Sequence, residues 1–439
     1  MEDKIKKIVS LAKRRGFVFP SSLIYGGFGS SYDFGPLGVE VKNNLKGLWW
    51  KEMTRVKDRV VGLDSSILMN PLVWEASGHL GAGFADELSE CKECHRRFKD
   101  LEEDKCPECK GELTPPRKFN LMMKTFVGPV EKDATISYLR AETCQGIYVN
   151  FKNVLDTSRL SVPFGIAQIG KSFRNEITPG DFIFRMREFE QMEMQWFTLK
   201  EEADKYFDYW LEERLKWYYD LGLKKENLRA REVSKDERAH YALRQVDIEY
   251  KFPFGWGEIE GVHNRGDWDL KNHSKHSQED FKIDGAYPYI IETSVGVERL
   301  FLAFLCHSFK EFEKGRDQSS KGMETVLYMD RRIAPVKLAV LPLLKNNDDL
   351  VKKAKEIYKD LKPHFLTYYD QTGSIGRRYR RQDEMGTPLC LTVDFESLED
   401  DSVTLRDRDS MKQVRVEIKK LKEKIEKYIN EGDFSSFEK

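Results

Sequence analysis

The sequence predicts an α+β domain built on an antiparallel sheet, followed by a separate α/β domain of about 100 residues, in a chain of 439. Three observations predict it. Residues 164–176 and 187–196 read as two strands flanking the breaker cluster Thr178-Pro179-Gly180-Asp181, the pattern of an antiparallel pair with a long loop. A further strand carries Glu292 and Ser294 on one face, turns at Gly296 and opens an apolar helix through Leu300 and Phe301. After Arg331-Arg332 the character changes. Pro335 precedes an apolar run over 336–344, then a charged helix, then short strands around 389–393 and 414–418. The division is placed between 332 and 333.

Composition supports a chain with large cores. Lysine plus arginine number 73 against 74 aspartate plus glutamate, a formal charge of −1, with 40% hydrophobic and 33% charged residues. Such a balance excludes long disorder and a globally basic nucleic-acid coat. No apolar run approaches the roughly 18–20 residues of a membrane span, and the first residues lack an apolar signal core. Seven cysteines make no disulfide scaffold and fit a reducing compartment; the expected location is cytoplasmic, with no membrane partner.

Before the paired strands, a glycine-rich stretch at 25–38 leads into an amphipathic helix. Val41, Leu45, Leu48, Trp49 and Val56 keep one face of it. Residues 60–68 then read as a strand stopped by Asn70-Pro71, since proline cannot donate to a ladder. Two segments look inserted: residues 86–114, and a charged helical stretch at 200–250 whose helix is expected over 201–219.

The first insertion carries Cys91-x-x-Cys94 and Cys106-x-x-Cys109. Two such pairs bring four thiolates to one point and predict a structural, tetrahedral Zn2+ site of zinc-ribbon type. His95 lies inside the knuckle and is read as a surface neighbour of the site. Cys144, Cys306 and Cys390 stand at no metal spacing and are expected to pack as small apolar groups.

No GxxxxGK[ST] phosphate loop is present, so a nucleotide site must be built from arginines. Alternation places Arg174 and Glu176 on one face of the first strand, and Arg187, Phe189, Gln191 and Glu193 on one face of the second. Guanidinium forks suit a polyphosphate, and an aromatic face suits a purine. Arg299, in the first turn of the apolar helix, joins a guanidinium to a helix N-terminus. Glu258 and Glu260 offer carboxylates suited to Mg2+.

These residues resemble a known family. Phe173-Arg-Asn-Glu176, the loop from Phe184 to Phe189 and Gly296-Val-Glu-Arg299 are similar to motifs 2 and 3 of class II aminoacyl-tRNA synthetases, and the helix from Val41 with its following strand to motif 1, the dimer-forming element. More narrowly, the chain resembles the homodimeric type of glycyl-tRNA synthetase. The matching stretches include Gly27-Phe-Gly-Ser-Ser-Tyr-Asp-Phe-Gly-Pro36, Trp74-Glu-Ala-Ser-Gly-His79, Arg140-Ala-Glu-Thr-Cys-Gln-Gly146, Arg187-Glu-Phe-Glu-Gln-Met-Glu193 and Asp370-Gln-Thr-Gly-Ser-Ile-Gly-Arg-Arg-Tyr-Arg-Arg381.

The resemblance implies activation of glycine by ATP to glycyl-adenylate and transfer to the 3′ end of tRNA(Gly), releasing pyrophosphate and AMP. It implies that Arg174 holds the α-phosphate, Glu176 accepts from the adenine amino group, and Phe189 stacks on the base. Arg185 and Arg299 would hold the outer phosphates. Asn175, Phe184, Met186, Arg187, Glu188, Glu258, Ile259, Gly296, Val297 and Glu298 complete the implied ATP site. Glycine is implied at Glu142, along Phe189, Glu190, Gln191, Met192 and Glu193, and along Glu292, Thr293, Ser294, Val295 and Gly296. The family's Arg-Ala-Asp stretch is here Phe98-Lys99-Asp100, where Lys99 or Arg97 would substitute. Arg377, Arg378, Tyr379, Arg380 and Arg381 would meet the anticodon.

Neither step requires a protein nucleophile; positioning and charge neutralisation suffice. Three acids around one ammonium need partial compensation, expected from Arg140 or Arg187. The rival reading is a non-catalytic synthetase-like accessory protein that binds nucleic acid. Such a protein would lack the motif residues, yet Arg174, Glu176, Glu193, Glu292 and Arg299 are all present. A zinc-ribbon nucleic-acid binder leaves most of the chain unexplained.

Overall fold

A computed structural model describes residues 2–81, 84–99, 101, 103–129, 136–176, 180, 182–239, 241–316 and 322–437. Thr178, Pro179 and Asp181 of the expected breaker cluster, and Asp100 of the stretch matched near the knuckle, lie outside the described residues. The chain divides into two compact units: residues 20–32 with 46–300, and residues 1–19 with 33–45 and 301–439. Residues 301–332 thus group with the C-terminal residues, where the sequence division stood at 332/333.

The first of these units is organised by a seven-stranded sheet. Its strands are β1 (Val60–Gly62), β2 (Phe164–Phe173), β3 (Glu188–Thr198), β4 (Leu228–Glu232), β5 (Arg244–Phe252), β6 (Gly255–Gly266) and β7 (Tyr289–Gly296). They lie in the order β4-β5-β6-β7-β3-β2-β1, antiparallel except for the β1–β2 pair. On one face Phe164, Ile166, Phe197 and Ile290 build a core with Tyr148 and Phe151. On the other, Trp196 meets Trp210 of the helix Ala203–Asp220, and Arg214 of the same helix donates to Glu260 at 2.7 Å.

Three expectations change here. The helix after the glycine-rich stretch is α1 (Pro36–Lys51), with Val41, Leu45 and Trp49 buried; a π-helical turn, Glu52–Val56, continues it, and there Val56 is exposed rather than on the buried face. The strand expected over 60–68 is only β1. Asn70-Pro71 starts a short helix, Pro71–Ala76, with the Asn70 side chain accepting from the Leu72 N–H at 3.0 Å, because proline suits a first helical turn. In the presumed 200–250 insertion the helix is present, α2 (Ala203–Asp220), yet β4 and most of β5 belong to the main sheet.

Residues 85–120 form a small three-stranded sheet, with Ala85–Glu90 between Arg97–Lys99 and Arg117–Asn120. In the other unit, β8 (Leu338–Pro342), β9 (Thr367–Tyr369), β10 (Leu389–Val393), β11 (Ser402–Asp407) and β12 (Gln413–Glu417) lie in the order β9-β8-β10-β11-β12. The first three are parallel and the last two antiparallel, as an α/β unit with a hairpin edge requires. No helix of the described residues is long and apolar enough to cross a membrane.

Candidate active site

A cavity of ≈ 420 Å3 opens on the sheet face toward which alternate residues of β3 and β7 point. Period two sorts the predicted runs. Phe189, Gln191 and Glu193 of β3 line it, as do Glu292, Ser294 and Gly296 of β7. Met192, Thr293 and Val295 are buried outside the lining, and Glu190 turns to Lys46 at 2.9 Å. Antiparallel register sets Glu193 beside Ser294 and Gln195 beside Glu292.

One end of the cavity is acidic. Glu292 accepts from His263 Nδ1 at 2.5 Å, Arg265 at 2.9 Å and Gln195 at 2.8 Å. Arg265 is itself held by Asp269 at 2.7 and 2.9 Å. Glu142 accepts from Gln145 at 2.8 Å and lies 3.4 Å from His79, whose Nδ1 meets the Ser77 hydroxyl at 2.8 Å. Burial alone would raise both carboxyls, but His79 and Arg265 hold Glu142 well below the usual range, and Arg265 and His263 lower Glu292. Glu193 has neutral partners. Ser294 donates to it at 2.7 Å, Gln191 at 3.1 Å, and Thr143 also donates. Burial, together with the charges of Glu292 and Glu142, pushes its carboxyl up to about 7.

The other end holds guanidinium groups and rings. Arg174 donates to the Ala141 carbonyl at 3.2 Å and lies 5.4 Å from the Phe189 ring centre. Arg299 donates to Glu258 at 3.0 Å and lies 4.5 Å over Phe184. Arg185 stands 4.0 Å from Glu176. Burial would raise Glu258, but Arg299, His263 and Arg174 bring it below its ordinary value. Met186 and Glu298 complete this wall, the Glu298 carboxylate accepting from the Glu190 N–H at 2.9 Å.

Several predicted residues lie elsewhere. β2 ends at Phe173, so Arg174 and Glu176 reach the cavity from the chain beyond it rather than from a strand face. Arg187 precedes β3; its guanidinium donates to the carbonyls of Glu176 (2.9 Å) and Gly29 (3.0 Å) and covers Phe28. Glu188 pairs with Lys171 at the surface, the Asn175 N–H donates to Leu121, and Ile259 and Val297 are buried outside the lining. Lys99 pairs with Asp86 at 2.7 Å and is not in the cavity wall.

Glu260 is the sharpest correction. Ile248 pairs with Glu260 and Glu249 with Glu258, so Ile259 is an extra residue in β6. That bulge turns Glu260 to the opposite face, where Arg214 (2.7 Å) and Tyr218 (2.5 Å) hold it, while Glu258 stays in the cavity. Arg140, named as a compensator, donates to the carbonyls of Lys171 (2.7 Å) and Ser65 (2.8 Å), and its charge still acts on Glu193. The principal compensator, Arg265, was missed, as were His263, His79 and Tyr241. The alternation of His263 and Arg265 along β6 was the one available signal.

The four knuckle sulfurs converge. Cys91, Cys94, Cys106 and Cys109 place them within 4.8 Å of one another, with Sγ–Sγ separations of 3.4 Å (Cys91–Cys109) and 3.7 Å (Cys94–Cys106). Tetrahedral bonds of about 2.3 Å to zinc put sulfurs about 3.8 Å apart, so the donor set fits Zn2+. His95 lies outside the set, 3.4 Å from Glu90.

In the C-terminal unit the arginine run is divided by the helix that carries it, Ile375–Met385. Within Ile375–Met385, Arg377 and Arg380 are exposed, whereas Arg378 is buried and donates to the carbonyls of Pro342, Leu343 (3.3 Å) and Gly373 (3.1 Å). Arg378 therefore braces the fold, and its guanidinium is unavailable to an anticodon. Arg381 pairs with Asp370 at 2.5 Å, and the Tyr379 hydroxyl meets Thr392 at 2.6 Å.

Similar proteins place this geometry in a lineage. Residues 130–308 match the tRNA synthetase class II core domain (G, H, P, S and T), and residues 337–428 match an anticodon binding domain. The chain is 50% identical to a glycine--tRNA ligase of Treponema denticola, covering 98% of this chain and 99% of that protein. It is 51% identical to one of Clostridium acetobutylicum (98% and 99% covered) and 48% identical to one of Thermobifida fusca (97% and 97%). With that identity along nearly its whole length, over a cavity with acids at one end and arginines at the other, the chain belongs to the glycine--tRNA ligase family of class II tRNA synthetases.

Proposed function

We propose that the chain activates glycine with ATP and transfers it to tRNA(Gly). The polarity of the cavity carries this reading: acids suited to an ammonium lie opposite arginines suited to a polyphosphate. Glu142, Glu193 and Glu292 receive the glycine ammonium, with Ser294 and Gln191 orienting Glu193 and with Gln195 and Arg265 orienting Glu292. Arg174 holds the α-phosphate, Phe189 and Glu176 hold adenine, and Arg185 and Arg299 take the outer phosphates. Glu258, rather than the Glu258–Glu260 pair, is the carboxylate placed to meet the Mg2+ that accompanies ATP. The carboxylate of glycine then attacks the α-phosphorus in line and displaces pyrophosphate, and the terminal adenosine hydroxyl of tRNA attacks the carbonyl carbon of the resulting adenylate, loses its proton and displaces AMP.

Residues 333–439 act as the anticodon-binding domain, with Arg377 and Arg380, one helical turn apart, as its outward cations. Exposed Leu23, Ile24, Tyr25 and Phe28 support a homodimer, and the protein is expected in the cytoplasm. The test is amino-acid-dependent ATP–pyrophosphate exchange with glycine, alanine, serine, proline, threonine and histidine. Exchange with glycine alone is expected. Silence with all six, from folded and zinc-loaded protein, would favour the non-catalytic accessory reading.

Glu193 imposes a pH dependence. Its carboxyl titrates at about 7 in the empty pocket, and an arriving ammonium favours the ionised form. Below that pH, each glycine bound must displace one proton. The KM for glycine should therefore rise as pH falls below about 7, approaching tenfold per pH unit. Exchange kinetics from pH 6 to 8.5 measure this, and Glu193→Gln should flatten the profile.

The knuckle supplies a separate prediction. One structural Zn2+ per chain, held by Cys91, Cys94, Cys106 and Cys109, should be found by elemental analysis and be lost in Cys106→Ala. Because structural zinc contributes on the order of 10–16 kcal/mol to small modules, chelation should open residues 85–120 to protease before the main sheet.

A further inference from the structure

The rim of the acidic end is formed by a loop from the segment that looked like a charged insertion. Residues 233–243 connect β4 to β5, and Tyr241 lines the same cavity as Glu142, Glu193 and Glu292. The loop is closed at its neck. The Arg238 guanidinium donates to the carbonyls of Val233 (2.9 Å) and Leu243 (2.5 Å), and the Leu243 N–H donates to Asn264 of β6 at 2.7 Å. Within it, Ala242 N–H returns to the Ala239 carbonyl at 2.9 Å.

Tyr241 is fixed as firmly as its loop. The Arg265 guanidinium lies 3.7 Å from its ring centre, and that guanidinium is locked by Asp269 and Glu292. The His263 ring meets it edge-on, 6.3 Å between centres at 85°, and the Trp268 ring lies 6.2 Å away. Burial raises the phenol well above its usual range, and the nearby Glu292 and Glu142 charges act in the same direction.

We propose that Tyr241 is a specificity-determining residue: its stacked ring is the wall that denies space to any substituent on the α-carbon of the amino acid. The proposal rests on glycine binding by its ammonium at the three acids. An α-carbon is about 1.5 Å from its nitrogen, so the acids hold it at this end of the cavity. Among the described lining residues, the rings beside Glu292 are His263 and Tyr241. His263 is committed to Glu292 by its 2.5 Å hydrogen bond, which leaves Tyr241 as the wall. Unstacking it to admit a methyl group would disturb the Arg265–Glu292 pair on which ammonium binding depends.

The experiment compares kcat/KM for alanine and glycine in ATP–pyrophosphate exchange by the full chain and its Tyr241→Ala, Tyr241→Leu and Tyr241→Phe variants. Tyr241→Ala should raise the alanine-to-glycine ratio by roughly 10- to 200-fold, the worth of one methyl group in a pocket, with the KM for ATP unchanged. Tyr241→Phe keeps the ring and should keep the parental ratio. Should Tyr241→Ala fail to fold, Tyr241→Leu reads the same ratio with the pocket volume largely retained and should give a smaller rise. A folded Ala or Leu variant that exchanges with glycine at the parental ratio overturns the assignment alone. Absence of glycine-dependent exchange in the unsubstituted protein overturns the proposed activity, and this assignment with it.

Discussion

Arg174→Ala should lower glycine-dependent ATP–pyrophosphate exchange on the order of 1,000-fold or more while leaving the protein folded. Positioned guanidinium groups in phosphoryl and nucleotidyl transfer contribute about 10³- to 10⁵-fold, because the charge they meet develops in the transition state. Arg174 is suited to that role by what holds it. One 3.2 Å hydrogen bond to the Ala141 carbonyl orients its side chain, and Phe84 and Phe189 lie 5.6 and 5.4 Å from it. Little of the fold depends on the guanidinium, so the melting temperature should move by only a few degrees. Exchange within tenfold of the parent would remove Arg174 from the reaction.

Arg265→Met should instead injure stability and substrate binding together. Arg265 is fully buried and bonds both Asp269 and Glu292. Removing one partner of a buried ion pair leaves carboxylates uncompensated, at a cost of about 3–5 kcal/mol. The same loss raises the Glu292 carboxyl, since burial and Glu142 then act on it with His263 and the Gln195 hydrogen bond left to oppose them. A protonated Glu292 attracts an ammonium poorly, so the KM for glycine should rise well above the parental value at pH 7. Arg265→Lys should restore little, because a single ammonium cannot reproduce the fork that spans two acids. Thermal denaturation and the glycine dependence of exchange measure both effects, and an Arg265→Met variant as stable as the parent would contradict the argument.

Much of the site was legible wherever alternation along a strand is uninterrupted. Phe189, Gln191 and Glu193, and likewise Glu292 and Ser294, needed only period two to be placed on a common face. Where the period breaks, no local signal marks the break. Glu258 and Glu260 differ in fate because Ile259 bulges out of the β5–β6 ladder, and nothing in Gly257-Glu-Ile-Glu-Gly261 announces a bulge. Arg187 failed for a related reason. It lies one residue before β3, where its carbonyl accepts from the Arg174 N–H at 2.9 Å and its side chain turns toward Gly29.

Long-range pairing was the other blind spot. Arg265 and Glu292 are 27 residues apart, and a buried ion pair leaves no composition signature. The arginines at 377–381 looked like one cationic face, but a helix turns about 100° per residue. That rotation sends Arg378 inward to the carbonyls at the end of β8 while Arg377 and Arg380 stay outside.

The side-by-side seating of Glu193 with Ser294 and of Gln195 with Glu292 has a consequence for how the protein tolerates change. In β3 the acids and amides alternate with Met192, Met194 and Trp196, all buried. A slip of one residue would drive carboxylates among methionines and leave a thioether facing the substrate. Folding fidelity and substrate recognition are therefore one constraint in these strands, and a chain that has folded has already assembled the floor of its pocket. The rim is under no such bond, being a clasped loop outside the ladder. Redesign toward another amino acid has room at the loop residues that line the cavity, Glu237, Ala239 and Tyr241, and very little anywhere beneath them.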